Sequence, residues 1–214
     1  MKKIIISLLL FFALALNCAA VDVMPSYVSL SNTNTLGVYQ VGNTIVLRSE
    51  PDDNAPITKV IKLDDSKIEP AELKFSEVFV VLIKSKGLAL MAVTDENEEW
   101  VELLYNNETG ERGWMKKDDP LKFSTWYNFY SMYGRKYGLY ILTGSPKTAR
   151  EMRGSTDDNS KVIANINTPV KINLNVIRGN WMLLSVMDMD GVPKTGYVRW
   201  RSDDGVKYLF PAIK

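Results

Sequence analysis

The chain repeats itself, and a duplicated module constrains the fold more than any single motif does. Leu47-Arg48-Ser49-Glu50-Pro51-Asp52-Asp53-Asn54 aligns with Met152-Arg153-Gly154-Ser155-Thr156-Asp157-Asp158-Asn159, and aliphatic stretches follow at residues 57–61 and 162–166. Further along, Trp100-Val101-Glu102-Leu103-Leu104 matches Trp181-Met182-Leu183-Leu184-Ser185, and Gly113-Trp114-Met115 matches Gly196-Tyr197-Val198. Asp118-Asp119-Pro120-Leu121-Lys122-Phe123 matches Asp203-Asp204-Gly205-Val206-Lys207-Tyr208, and the openings Gly37-Val38-Tyr39 and Gly138-Leu139-Tyr140 agree too. Blocks in one conserved order mark two copies of a module of about 75 to 85 residues, a viable domain size.

Each copy reads as short strands separated by turns. Residues 44–47, 78–83, 88–93, 100–105 and 112–115 are β-branched or aromatic runs, punctuated by Pro51-Asp52-Asp53-Asn54, Lys86-Gly87, Glu96-Asn97 and Asn107-Glu108-Thr109-Gly110. The second copy is shorter, with expected strands at 170–177, 181–186, 196–199 and 206–210. The first therefore carries an insertion, centred on the acidic stretch 63–77, and long insertions are where function tends to sit. A small β-barrel or sandwich is expected for each copy.

The chain has 26 Lys+Arg against 25 Asp+Glu, no His and one Cys. The balance and the lack of charge blocks point away from nucleic-acid partners. Without His, and with Cys18 alone, zinc sites, His-dependent triads and Cys-His nucleophiles are not to be expected, and no cofactor or metal is. Serine acyl-enzyme, phosphate-loop and dinucleotide motifs are also missing, so we expect no enzyme. Two carboxylates alone suffice for acid-base hydrolysis, but Glu98, Glu99 and Glu102 beside Trp100 read as a solvated cluster.

Lys2 and Lys3 precede a thirteen-residue apolar run, residues 4–16, which ends in Cys18-Ala19-Ala20. That is the pattern of a secretory signal peptide, too short for a membrane span, with cleavage expected after Ala20 and a periplasmic or secreted product. The rival is lipidation at Cys18, against which Asn17 argues because a small residue usually precedes an acylated cysteine. The expected organisation is a signal peptide at 1–20, an extended segment at 21–36, copies at 37–122 and 138–214, and a helical linker at 123–137. In that linker Trp126, Phe129, Tyr130, Tyr133 and Tyr137 fall on one helix face, with Ser124 as N-cap and Gly134 as stop. The rings serve either as a ligand platform or, the stronger reading, as packing between two barrels.

The succession Leu47-Arg48-Ser49, the aliphatic run 57–61, Trp100-Val101-Glu102-Leu103 and Thr109-Gly110-Glu111-Arg112-Gly113-Trp114 resembles the bacterial SH3-like domain. The second copy departs from the pattern, with Thr195-Gly196-Tyr197 and no preceding glycine pair. The resemblance implies a mainly β protein, two small SH3-like barrels joined by an aromatic-rich helix. It also implies an extracytoplasmic binding module for cell-wall peptide or an envelope protein partner. Candidate ligand-binding residues are Tyr39, Trp100, Tyr105, Trp114, Trp181, Tyr197 and Trp200; strand alternation alone does not say which face inward. The alternative is a structural or assembly protein of the envelope with those rings inside. Asp52-Asp53-Asn54, Asp157-Asp158-Asn159 and Asp188-Met189-Asp190-Gly191 are read as turns rather than calcium loops. Arg48 and Arg153 are expected to tie their turns to the neighbouring aspartates, the other possibility being a grip on a ligand carboxylate.

Overall fold

The computed structural model describes residues 22–31, 34–64, 66–167, 170–187 and 191–213. The expected signal peptide, Cys18 and the turn at Asp188-Met189-Asp190 lie outside them. The described chain is mainly β. Its first sheet holds β1 (Gly37–Gln40), β2 (Thr44–Arg48), β3 (Ile57–Leu63), β4 (Ile68–Glu69), β5 (Val81–Ile83), β6 (Leu88–Glu96), β7 (Trp100–Asn106), β8 (Glu111–Lys116) and β9 (Phe123–Thr125). The second, which curls into a half-barrel, holds β10 (Leu139–Ile141), β11 (Glu151–Arg153), β12 (Val162–Asn165), β13 (Ile172–Arg178), β14 (Trp181–Met187), β15 (Pro193–Arg199) and β16 (Leu209–Pro211).

The two sheets share one topology. Their spatial orders are β3-β2-β8-β7-β6-β1-β9 and β12-β11-β15-β14-β13-β10-β16, which are the same connection repeated. The register repeats as well. Trp100 faces Lys116 and Trp181 faces Arg199; Leu103 faces Gly113 and Leu184 faces Gly196. Both first hairpins shift register at the same place, before Arg48 and before Arg153.

The insertion accounts for the difference. It adds β4 on the outer edge of β3, a helical turn α1 (Phe75–Val78), and β5 against β6. The apolar run expected as one strand at 78–83 is thus split between the end of α1 and β5, because Phe79 and Val80 turn inward to two different cores.

Those cores explain the sequence of β6. Leu88-Ala89-Leu90-Met91-Ala92-Val93 is apolar without alternation, as expected of a strand covered on both faces. Ala89, Met91 and Val93 join Tyr39, Ile45, Leu47, Ile61, Val101 and Leu103 in a core internal to the first sheet. Leu90 and Ala92 face the other way, with Val38 and Leu104, into a larger core containing Met152, Met182, Leu184, Val198 and Phe210 of the second sheet. The two repeats are fused through a continuous apolar interior.

The linker runs through that interior. Its first residues, 123–125, form β9 rather than helix, so the N-cap is Thr125, whose hydroxyl accepts from Asn128 N at 3.3 Å, and not Ser124. The helical segment 126–137 passes through Gly134 by way of a π turn and stops at Gly138, whose φ of 80° favours glycine. Gly134 is a packing glycine: a Cβ there would lie 3.0 Å from Leu174 Cδ2 and 3.1 Å from Leu139 Cδ2. Trp126, Phe129 and Tyr130 are buried, with Tyr133 and Tyr137 packed at the margin.

The segment before the first repeat is a strap across both halves. Val23 exchanges two backbone hydrogen bonds with Leu82 of β5, at 2.8 and 3.0 Å, while Tyr27 N donates to Thr143 O at 3.1 Å in the second half. Leu30 enters the shared core, and Trp126 Nε1 donates to Thr35 O at 3.0 Å. No helix among the described residues is long and apolar enough to cross a membrane.

Candidate functional site

Each repeat builds the same corner where the β2-β3 hairpin, or its counterpart β11-β12, meets the end of the Trp-led strand. Asn54 N donates to Asp52 Oδ1 at 2.7 Å and Asn159 N to Asp157 Oδ1 at 2.9 Å, so each first aspartate closes its own turn. Arg48 Nη1 donates to Ala55 O at 2.6 Å and Arg153 Nη1 to Ser160 O at 2.7 Å. The arginines do tie their turns, but through a carbonyl seven residues on rather than through the expected aspartates. Arg153 takes a carboxylate as well, that of Glu151.

The second aspartate of each pair turns to the neighbouring strand. Asp53 Oδ2 lies 2.5 Å from Lys116 Nζ, and Asp158 Oδ2 lies 3.3 Å from Arg199 Nη2. Both cations also stand over the tryptophan opposite them: Lys116 Nζ is 5.6 Å from the Trp100 ring centroid and the Arg199 guanidinium is 5.5 Å from that of Trp181. Arg199 gains a second carboxylate, Asp203 Oδ1 at 2.8 Å, which fastens it further. Hydrogen bonding to Asp53 holds the Lys116 ammonium above its ordinary value, against some desolvation.

Beside the first of these corners lies a groove of about 380 Å³. Trp100, Val46 and Met115 supply its apolar lining, and Arg48, Asp53, Lys116 and Asp118 its charges. Asp118 is set by Tyr39, whose hydroxyl donates to Asp118 Oδ1 at 2.6 Å, and by Lys122. Partial burial works to raise the Asp118 carboxyl, but the hydrogen bonds from Lys122 and Tyr39 outweigh it and hold the group below its ordinary value. Burial, helped by the bond to Asp118, pushes the Tyr39 phenol up to about 12. The site is therefore an apolar-floored groove rimmed by both signs of charge, suited to a ligand that offers an amine and a carboxylate.

Five of the seven aromatic candidates are buried, but only Tyr39, Tyr105 and Trp200 belong to a core. Tyr39, Trp100, Tyr105, Trp181 and Trp200 are buried, at 0 to 7 % exposure, whereas Trp114 and Tyr197 are half-buried on the outer face of their sheets. Trp200 belongs to the shared core, its ring 4.5 Å from that of Tyr130 and its Nε1 donating to Gly179 O at 2.9 Å. Tyr105 lies in the core of the first sheet, and burial raises its phenol. Of the seven, Trp100 lines the groove and Tyr39 orients a group on its rim. Trp114 pairs across the ladder with Arg48 and Glu102, and Tyr197 lies under Arg178 at 5.8 Å.

Sequence reasoning passed over Lys116, Asp53, Asp118 and Met115. The signal for the first two was present, since Asp53/Asp158 and Lys116/Arg199 occupy matching positions with matching charge. It also passed over Lys207, which is 1 % exposed, with Nζ 3.1 Å from Thr35 Oγ1 and 4.4 Å from the centroid of Trp126. Desolvation, and then the charge of Arg201, push its ammonium down to about 7. Among the described residues no three His, Cys, Asp or Glu side chains are grouped to hold a metal ion.

Set against known proteins, the chain matches no family model and no curated protein.

Proposed function

We propose that the chain is an exported, non-enzymatic binding protein of two SH3-like modules, and that its ligand, a cell-wall peptide or an extended segment of an envelope protein, lies in the groove of the first repeat. The observation that carries this is the grouping of Trp100, Met115 and Val46 with Lys116, Asp53 and Asp118 around one concavity. Peptides of the wall present an amine and a carboxylate at short spacing, which this rim matches. The signal-peptide pattern and the module resemblance support the extracytoplasmic setting.

The test is retention of the processed chain on purified peptidoglycan sacculi and on immobilised envelope proteins. The variants are Lys116→Ala and Asp53→Ala, both at exposed side chains, so loss of retention in a folded variant reports on the groove. Retention unchanged in both variants would sink the assignment of the site.

A second reading, a structural or assembly protein of the envelope, is favoured by the burial of five candidate rings and by the core common to both repeats. It is supported if neither sacculi nor envelope proteins retain the chain and tryptophan emission is blue-shifted and shielded from acrylamide.

A further inference from the structure

A second concavity, of about 790 Å³, lies at the C-terminal end of the linker helix, and its makeup differs from that of the first-repeat groove. It is built where four parts of the chain converge. The strap contributes Met24, the end of the helix Lys136 and Tyr137, β10 Leu139 and Tyr140, and the segment entering β13 Val170 and Lys171. The C-terminal residues Ala212 and Ile213 close it. Leu139 and Tyr140 have counterparts in Val38 and Tyr39 of the first copy, but the strap residue Met24 does not.

The volume falls within the range of about 300–1,000 Å³ usual for small-molecule sites. The wall is aliphatic and aromatic, and Met24, an unbranched and adaptable side chain, is 41 % exposed at its mouth. The hydroxyl of Tyr140 is already engaged, donating to Pro25 O at 3.3 Å. Among the described residues the charged lining groups, Lys136 and Lys171, are both cations and no acidic residue joins them. Lys136 is hydrogen-bonded to the neutral Tyr137, its Nζ 5.0 Å from the ring centroid, and no ion pair holds Lys136 or Lys171 among the described residues. An apolar trough with two ammonium groups uncompensated at its rim is complementary to a long apolar chain ending in an anion.

We infer that this groove binds a long-chain carboxylate, a free fatty acid, with its chain along Met24, Leu139, Val170 and Ile213 and its carboxylate between Lys136 and Lys171. The site is separate from the groove of the first repeat and does not depend on the function proposed for that groove.

The experiment uses the processed chain and dansyl-labelled undecanoate, whose emission rises when the dye leaves water, followed by displacement with octanoate, decanoate, dodecanoate and tetradecanoate. Each added methylene is expected to tighten displacement by about fourfold until the trough is filled. Lys136→Glu with Lys171→Glu, both at exposed side chains, is expected to weaken binding on the order of tenfold. Ala212→Trp fills the trough and is expected to abolish it, while Lys116→Ala leaves it unchanged. The charge-reversed pair, at exposed positions, keeps the test open should the tryptophan variant fail to fold. The inference is overturned if the probe does not brighten, if dodecylamine displaces it as well as dodecanoate does, or if the charge-reversed protein binds like the parent.

Discussion

Arg199 stands in the second repeat where Lys116 stands in the first, each across the ladder from a tryptophan and each bonded to the second aspartate of its turn. The two are not equivalent in strength. Lys116 has one carboxylate partner and an ammonium half in solvent, whereas Arg199 has two carboxylates and a side chain largely covered. Lys116→Ala is therefore expected to leave stability nearly unchanged, and Arg199→Ala to cost about 1–2 kcal/mol. Urea unfolding of the two variants beside the parent measures the difference. Equal costs would mean that the second carboxylate, Asp203, contributes nothing.

Lys207 makes the stability of the fold depend on pH in the alkaline range. Its ammonium is pushed down to about 7 in the folded chain, against an ordinary value near 10.4 in the unfolded one. Between these values the unfolded chain binds a proton that the folded chain does not, so stability rises with pH from 7 towards 10 and is flat with respect to this group below 7. Denaturant unfolding at pH 7.5, 8.5 and 9.5 is expected to show a rise approaching about 1.4 kcal/mol per pH unit. Lys207→Met is expected to remove the slope and to be the more stable protein at pH 7.5. A parent whose stability is level across that range would show that the amine stays charged in place.

Gly37 and Gly42 lie five residues apart and are expected to respond oppositely to alanine. A Cβ on Gly37 would come within 2.1 Å of Ser124 O, where β1 meets β9, and neither backbone can yield without breaking that pairing. A Cβ on Gly42 meets nothing within 4 Å. Gly37→Ala is expected to cost upwards of about 3 kcal/mol and Gly42→Ala to stay within about 0.5 kcal/mol. Thermal melts of the two proteins settle it, and a tolerated Gly37→Ala would mean that β9 is not paired to β1 in solution.

Tyr130 hydroxyl donates to Leu209 O at 2.5 Å with no access to water. Burial drives that phenol well above its ordinary value, which favours the protonated, donating form. Tyr130→Phe leaves the Leu209 carbonyl without this partner inside the shared core, at an expected cost of about 1–2 kcal/mol. A loss far below that in calorimetry would show that the carbonyl finds another donor.

The repeat was legible because its blocks are the residues that make the recurrent bonds. Arg48 and Arg153 close their turns, Asp52 and Asp157 cap them, and Gly113 and Gly196 let the neighbouring strand pack close. Near Gly196 a Cβ would meet Arg153 O, Ile163 Cδ1 and Met152 Cβ at 3.1 Å. The aromatic face of the linker was legible for the same reason, as periodicity. The direction of Trp100 and Trp181 was not, because an alternating strand has two faces and both sheets are covered on parts of both. Residues 22–31 carry no period at all, and they are held by long-range bonds such as Val23 to Leu82 that no local pattern encodes. The site was half legible: Trp100, Tyr39 and Arg48 were named, Asp53 and Lys116 showed only as matching positions of the repeat, and Asp118 reads in a sequence as ordinary surface.

The apolar interior common to the two sheets has a bearing on how a partner would be held. Modules on a flexible tether sample many separations, and their joint avidity follows the length of the tether. Here Val38, Leu90 and Ala92 of one repeat share a core with Met152, Met182 and Phe210 of the other, and the linker helix packs against both sheets. The corner at Trp100 and the corner at Trp181 thus form a ruler of one length. A partner that touched both halves would meet them at one fixed spacing, with no tether to lengthen or shorten.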